Sequence, residues 1–97
     1  MPLDQEFRRY LADTIHGIMA SIPTLKKEYP KFRGDWKFES EFDFLYGCIV
    51  GQVLGTGLTA FKMIYEREAA SDEILDIGEL VESYFPEIRE RILRAKS

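Results

Sequence analysis

An uncharged stretch of 18 residues, from Phe44 to Phe61, constrains the fold of this chain more than any other feature. Three glycines, Gly47, Gly51 and Gly55, recur in it every four residues. At about 100° per residue they share one ~80° arc of an α-helix with Leu58. Each interior glycine costs a helix about 1 kcal/mol relative to alanine. Such a face is typical of a position where another backbone approaches closely.

The other sides of this helix are also apolar, and Gln52 alone interrupts them. A helix that is apolar all round must be buried all round or lie in a membrane. The other helices of the chain are amphipathic and too few to cover every side. The sequence therefore predicts a homodimer whose central helices pair through Gly47, Gly51, Gly55 and Leu58.

A membrane span is one alternative interpretation of this stretch, because 18 residues is the minimum length for crossing a bilayer. However, four glycines and two threonines dilute its hydrophobicity, and charged Glu39, Glu41, Asp43 and Lys62 flank it. We therefore do not expect the chain to insert into a membrane.

Residues 55–60 offer two further alternatives. They fit the dinucleotide-binding pattern G-x-G-x-x-G/A. That motif, however, needs a preceding strand inside a parallel sheet, and the sequence shows no strand pattern of this kind. Gly55 and Gly57 as a pair are also a known cause of a kink in a helix. The sequence leaves the kink open and disfavours the nucleotide site.

The rest of the chain shows helical periodicity and no alternating strand pattern. We predict helices at Asp4–Ser21, with Asp4 as N-cap, at Ser40 to about Ala69, from Ser71-Asp72 and from Pro86, with a helical turn at Thr24–Tyr29 and a loop at Lys31–Lys37. Ninety-seven residues are too few for a large α/β enzyme fold. The prediction is a single all-α domain over residues 1–97, a small bundle of four to five helices around the glycine-rich one.

Charge and cysteine content exclude some functional classes. The chain has 13 Lys+Arg and 17 Asp+Glu, a net charge of −4, which disfavours a surface that binds nucleic acid or anionic lipid throughout. One cysteine, Cys48, and an N-terminus without signal-peptide features predict a reducing, cytoplasmic location. The absence of asparagine is typical of heat-adapted proteins.

Few residues suggest a metal-binding or catalytic site. Asp13 and His16 stand three apart on the first helix, the spacing of two ligands of one metal, but without further carboxylates we expect a solvated pair. Cys48 has apolar neighbours, so we expect a buried small side chain and not a nucleophile. The sequence predicts no catalytic residue, no bound metal and no cofactor.

One segment is basic, although the chain as a whole is acidic. Residues 26–37 contain five basic and two acidic side chains, interleaved with aromatic rings. Basic groups and aromatic faces bind phosphates and unstacked bases, although an ordinary loop has the same composition. The candidate contacts for nucleic acid or an acidic partner are Lys26, Lys27, Lys31, Arg33, Trp36 and Lys37.

Three functional hypotheses follow. The preferred one is a small non-enzymatic binding or assembly module that self-associates through its glycine-rich helix. The second is a nucleic-acid-binding accessory protein that uses residues 26–37. The third is a helical bundle that binds a metal or a small molecule, through Asp13, His16 and a pocket beside the glycines.

Overall fold

The computed structural model describes residues 3–31, 34 and 37–95. Within these ranges the chain is helical and has no strand, which confirms the all-α class. The helices are α1 (Gln5–Ala20), α2 (Ile22–Glu28), α3 (Glu41–Tyr65), α4 (Ser71–Glu82) and α5 (Phe85–Arg94), with a 3₁₀ turn at Tyr29–Lys31. The predicted loop at 31–37 lies largely outside the described residues. Gly34 within it has a φ of 54°, the left-handed conformation of a turn.

Side-chain caps set the start of the two longest helices. The Asp4 carboxylate accepts a hydrogen bond from the backbone N–H of Phe7 at 2.8 Å, so α1 begins at the predicted cap. The Ser40 hydroxyl accepts from the backbone N–H of Asp43 at 3.1 Å and begins α3 in the same way. Local sequence was sufficient to place both of these boundaries.

The predicted end of α3 near Ala69 is wrong, because the helix stops at Tyr65. Glu66 adopts a left-handed backbone conformation, with φ 56°, and turns the chain towards α4. Arg67 then lies over the Phe61 ring, 5.0 Å from its centroid, and forms two hydrogen bonds of 2.8 Å with the Glu73 carboxylate. This pairing between residues six apart, together with the turn at Glu66, holds the Glu-Arg-Glu-Ala-Ala segment outside the helix.

The glycine pair does not interrupt α3, which continues as an α-helix through Gly55 and Gly57. Residues 55–60 therefore lie in the middle of a helix, without the strand that a dinucleotide-binding turn requires.

α3 is the central element, and it packs against α1, α4 and α5. α1 runs antiparallel to it, since Phe7 contacts Phe61 edge-on at 5.6 Å between ring centroids and the Tyr65 hydroxyl donates to Asp4. The core side of α3 is formed by the buried Leu45, Ile49, Val53, Gly57, Ala60 and Phe61.

Gly57 is where another element approaches α3 closely within the chain. A Cβ at this position would lie 3.3 Å from Cγ2 of Ile77 and 3.3 Å from Cδ1 of Leu11. Gly57 lies about 120° around the helix from Gly51, on the core side. The sequence pattern considered Gly57 for a kink or for a nucleotide-binding turn, whereas its structural role is to let α1 and α4 pack close to α3.

Candidate self-association surface

The side of α3 opposite the core is open to solvent. Gly47, Gly51 and Gly55 are exposed, and Leu58 keeps 39% of its surface accessible. We call these four residues the Gly face. A Cβ placed on any of the three glycines would have no atom of the described residues within 4 Å. Nothing in the described part of the chain therefore makes the close approach that these glycines predict.

A shallow groove adjoins the Gly face, between α1 and α3. It has a volume of about 410 Å³ and is lined by Tyr10, Gln52, Gly55, Thr56, Thr59, Ala60 and Met63. The lining carries no charge and combines hydroxyl and amide groups with apolar surface. Met63 and Tyr10 expose 74% and 48% of their surface at its rim. The exposed apolar surface thus extends sideways from the glycines towards α1.

The overall dimensions agree with an incompletely covered α3. The chain measures 40 × 25 × 18 Å, so its thinnest dimension is about two packed helices. Its accessible surface is 6552 Å², whereas monomeric proteins of 11.3 kDa expose about 5700 Å². The accessible surface thus exceeds this average by about 800 Å² over the whole chain.

Within α3, charged side chains lie only near the two ends of the helix, beyond the Gly face. Glu41 and Asp43 lie in the first turn of α3 and are exposed. Lys62 lies in the last turn and forms an ion pair of 2.9 Å with Glu68, in which both side chains are more than half exposed. One end of the surface is therefore acidic, the other carries a lysine, and the middle is uncharged.

A polar cluster at the junction of α1, α3 and α4 was not predicted from the sequence. The Arg67 guanidinium and the backbone N–H of Ala70 both donate to Glu73, and they lower the pKa of that buried carboxyl to about 2. The Tyr65 hydroxyl donates to Asp4, which lowers the pKa of Asp4 and raises that of Tyr65 to about 12. Glu73 as the third residue of a helix was a signal for its capping bond, but its pairing with Arg67 depends on the fold.

The basic segment is partly used inside the fold. The Lys26 ammonium donates to the carbonyls of Ile92 and Ala95 at 2.9 and 2.8 Å, and so caps the last turn of α5. Lys31 pairs with Glu28 at 2.7 Å. Lys27 and Lys37 are exposed, whereas the predicted Arg33 and Trp36 lie outside the described residues.

The other candidate residues do not form a chemical site. Asp13 and His16 are both exposed, and the His16 ring contacts Tyr84 edge-on at 5.4 Å between centroids. Among the described residues, no three His, Cys, Asp or Glu side chains are grouped as metal ligands. Cys48 is half-buried at the edge of the Gly face, so the burial expected for it is only partial. The Gly face is exposed to solvent, and Cys48 lies only about 60° around the axis of α3 from Gly51.

Among the described residues, α3 alone is long and apolar enough to cross a membrane. Its most apolar 18-residue window has a mean hydropathy of 1.5, and 33% of that window is buried inside the fold. Core helices of soluble proteins meet the same criterion, so length and composition do not decide between the two environments.

No protein-family model, curated protein or solved structure matches the chain. Its function is therefore argued from its own surfaces.

Proposed function

We propose that this protein is a non-enzymatic assembly module in which two copies pack their Gly faces together. The observation that carries the proposal is that alanine would fit at Gly47, Gly51 and Gly55 within a single chain. Three glycines in a helix interior cost roughly 3 kcal/mol relative to alanine, and the described residues of one copy offer no reason for them. A second backbone at this face supplies that reason.

Self-association through the Gly face depends directly on the absence of side chains at the three glycines. Without Cβ atoms, two helix axes can approach closer than the usual 8–10 Å, which increases van der Waals contact between the backbones. Leu58 and part of the adjoining groove become buried at the same time.

The test is the oligomeric state of the protein and of Gly51→Leu, measured by sedimentation velocity from micromolar to millimolar concentration. Gly51 is exposed and no described atom lies within 4 Å of a Cβ at this position, so we expect Gly51→Leu to fold. We expect a dimer for the natural sequence and a monomer with an unchanged circular dichroism spectrum for Gly51→Leu.

Gly78→Leu is the matched control, because Gly78 lies on α4 and also has no described atom within 4 Å of an added Cβ. It should remain dimeric. A natural sequence that is monomeric at every concentration, or a Gly51→Leu variant that dimerises as well as the control, would overturn the proposal.

The two other functional hypotheses gain less support. Lys26 and Lys31, two of the six candidate contacts for nucleic acid, are bonded to carbonyls or to a carboxylate within the chain. Asp13 and His16 are exposed and have no third ligand beside them among the described residues. We therefore propose neither nucleic-acid nor metal binding as the function.

A further inference from the structure

The distribution of charge along α3 bears on how two copies meet, provided that the proposed self-association occurs. The first turn carries Glu41 and Asp43, the last turn carries Lys62, and the face between them is uncharged. A symmetric pair of helices is either parallel, with like ends together, or antiparallel, with opposite ends together.

The parallel arrangement brings the acidic ends of the two helices together, so that the carboxylates of Glu41 and Asp43 would meet the same groups of the partner. At the other end, the ion pair of Lys62 with Glu68 would lie beside the same pair of the partner and gain no new opposite charge. Like charges facing each other across an interface are unfavourable. The parallel macrodipoles of the two α3 helices would also repel each other.

The antiparallel arrangement places complementary groups opposite each other. With Gly51 opposite the partner's Gly51, Gly47 lies opposite the partner's Gly55. Lys62 is 11 residues from this crossing point and Glu41 is 10, so the two differ by about 1.5 Å in height along the helix axis. Both are rotated in the same direction from Gly51, by about 20° and 80°. A twofold axis perpendicular to the helices keeps them on the same side of the interface.

We infer that two copies pack with their α3 helices antiparallel and crossed at Gly51, so that Lys62 of each copy lies beside Glu41 of the other. The existing ion pair between Lys62 and Glu68 does not prevent this. Its two side chains are 63% and 79% exposed, and exposed pairs contribute little to stability. Lys62 can therefore exchange its partner when the second copy binds.

The distance between two spin labels distinguishes the orientations. The labelled variant is Met63→Cys in a Cys48→Ser background, since Met63 is 74% exposed and takes part in neither charge pair. Residue 63 is 12 residues from the crossing point, so an antiparallel pair separates the two labels by about 36 Å. A parallel pair places both labels at the same height, so that their distance is about the width of two packed helices, roughly 20–24 Å.

Each outcome of this pulsed electron paramagnetic resonance experiment is decisive. A dimer with labels about 36 Å apart supports the antiparallel pair. A dimer with the short distance overturns the orientation and leaves the proposed self-association intact. A monomer by sedimentation, without coupling between labels, overturns both.

Charge reversal gives a second, independent test. In the antiparallel pair Lys62→Glu turns two attractions into repulsions, so we expect the Kd of self-association to rise about tenfold at low salt. Lys62→Glu combined with Glu41→Lys should restore it. The control Arg89→Glu makes the same change in net charge on exposed α5 surface and should leave Kd unchanged. An unchanged Kd for Lys62→Glu in a protein that dimerises contradicts the antiparallel pair.

Discussion

Two neighbouring glycines on opposite sides of α3 should respond oppositely to the same substitution. Alanine at Gly55 adds a methyl group that no described atom contacts within 4 Å, so the variant gains only helix propensity. That gain is about 1 kcal/mol in the free energy of unfolding. For a domain of this size it corresponds to a rise in Tm of about 4–8 °C.

Alanine at Gly57 gains the same helix propensity but loses packing. Its methyl group would lie 3.3 Å from side-chain carbons of Ile77 and of Leu11, both of which are buried. Crowding a well-packed core costs about 1–3 kcal/mol, which cancels or exceeds the gain. Since the propensity term is common to both variants, Gly57→Ala should be less stable than Gly55→Ala by about 1–3 kcal/mol.

The assay is urea unfolding followed by circular dichroism at several low protein concentrations, because dimerisation adds stability that depends on concentration. Values extrapolated to the dilute limit compare the single-chain folds. If Gly57→Ala equals or exceeds Gly55→Ala in stability, the assignment of Gly57 to the core and of Gly55 to the open face is wrong.

Three further predictions concern polar contacts within the chain. Because the pKa of Glu73 is lowered from 4.5 to about 2, its bonds stabilise the fold above pH 4.5 and are lost as the pH falls towards 2. The urea midpoint of Glu73→Gln should therefore depend less on pH in this window than that of the natural protein. The pKa of Tyr65 is raised from 10 to about 12, so its bond to Asp4 contributes fully below pH 10 and is lost as the pH rises from 10 towards 12. Tyr65→Phe should therefore flatten the alkaline side of a plot of Tm against pH. Lys26→Met leaves the carbonyls of Ile92 and Ala95 without their donor and should lower the free energy of unfolding by about 1–2 kcal/mol in urea denaturation. Lys27→Met, at an exposed position, should leave that free energy unchanged.

The parts of the fold that follow from local sequence were predictable. Asp4 and Ser40 predict the starts of α1 and α3 because an N-cap needs only a side-chain oxygen two or three residues before a free N–H. Pro86 in the first turn of α5 follows from the lack of a proline N–H. Each of these signals is contained within a few neighbouring residues.

The parts that depend on distant contacts were not predictable. The end of α3 is a shorter-range case, because Arg67 and Glu73 are six residues apart and their pairing requires the turn at Glu66 between α3 and α4. Lys26 finds its acceptors in Ile92 and Ala95, more than sixty residues away. Helical periodicity placed Gly47, Gly51 and Gly55 on one side of α3, but which side of α3 faces the core depends on where α1 and α4 pack.

The most direct test of self-association through the Gly face is a dilution series of two-dimensional ¹H–¹⁵N spectra of the natural protein. We expect amide resonances of Gly47, Gly51 and Gly55 to shift as the dimer dissociates, while those of the buried Gly57 and of α5 stay constant. Spectra that do not change with concentration, or shifts confined to residues 26–37, would contradict the account.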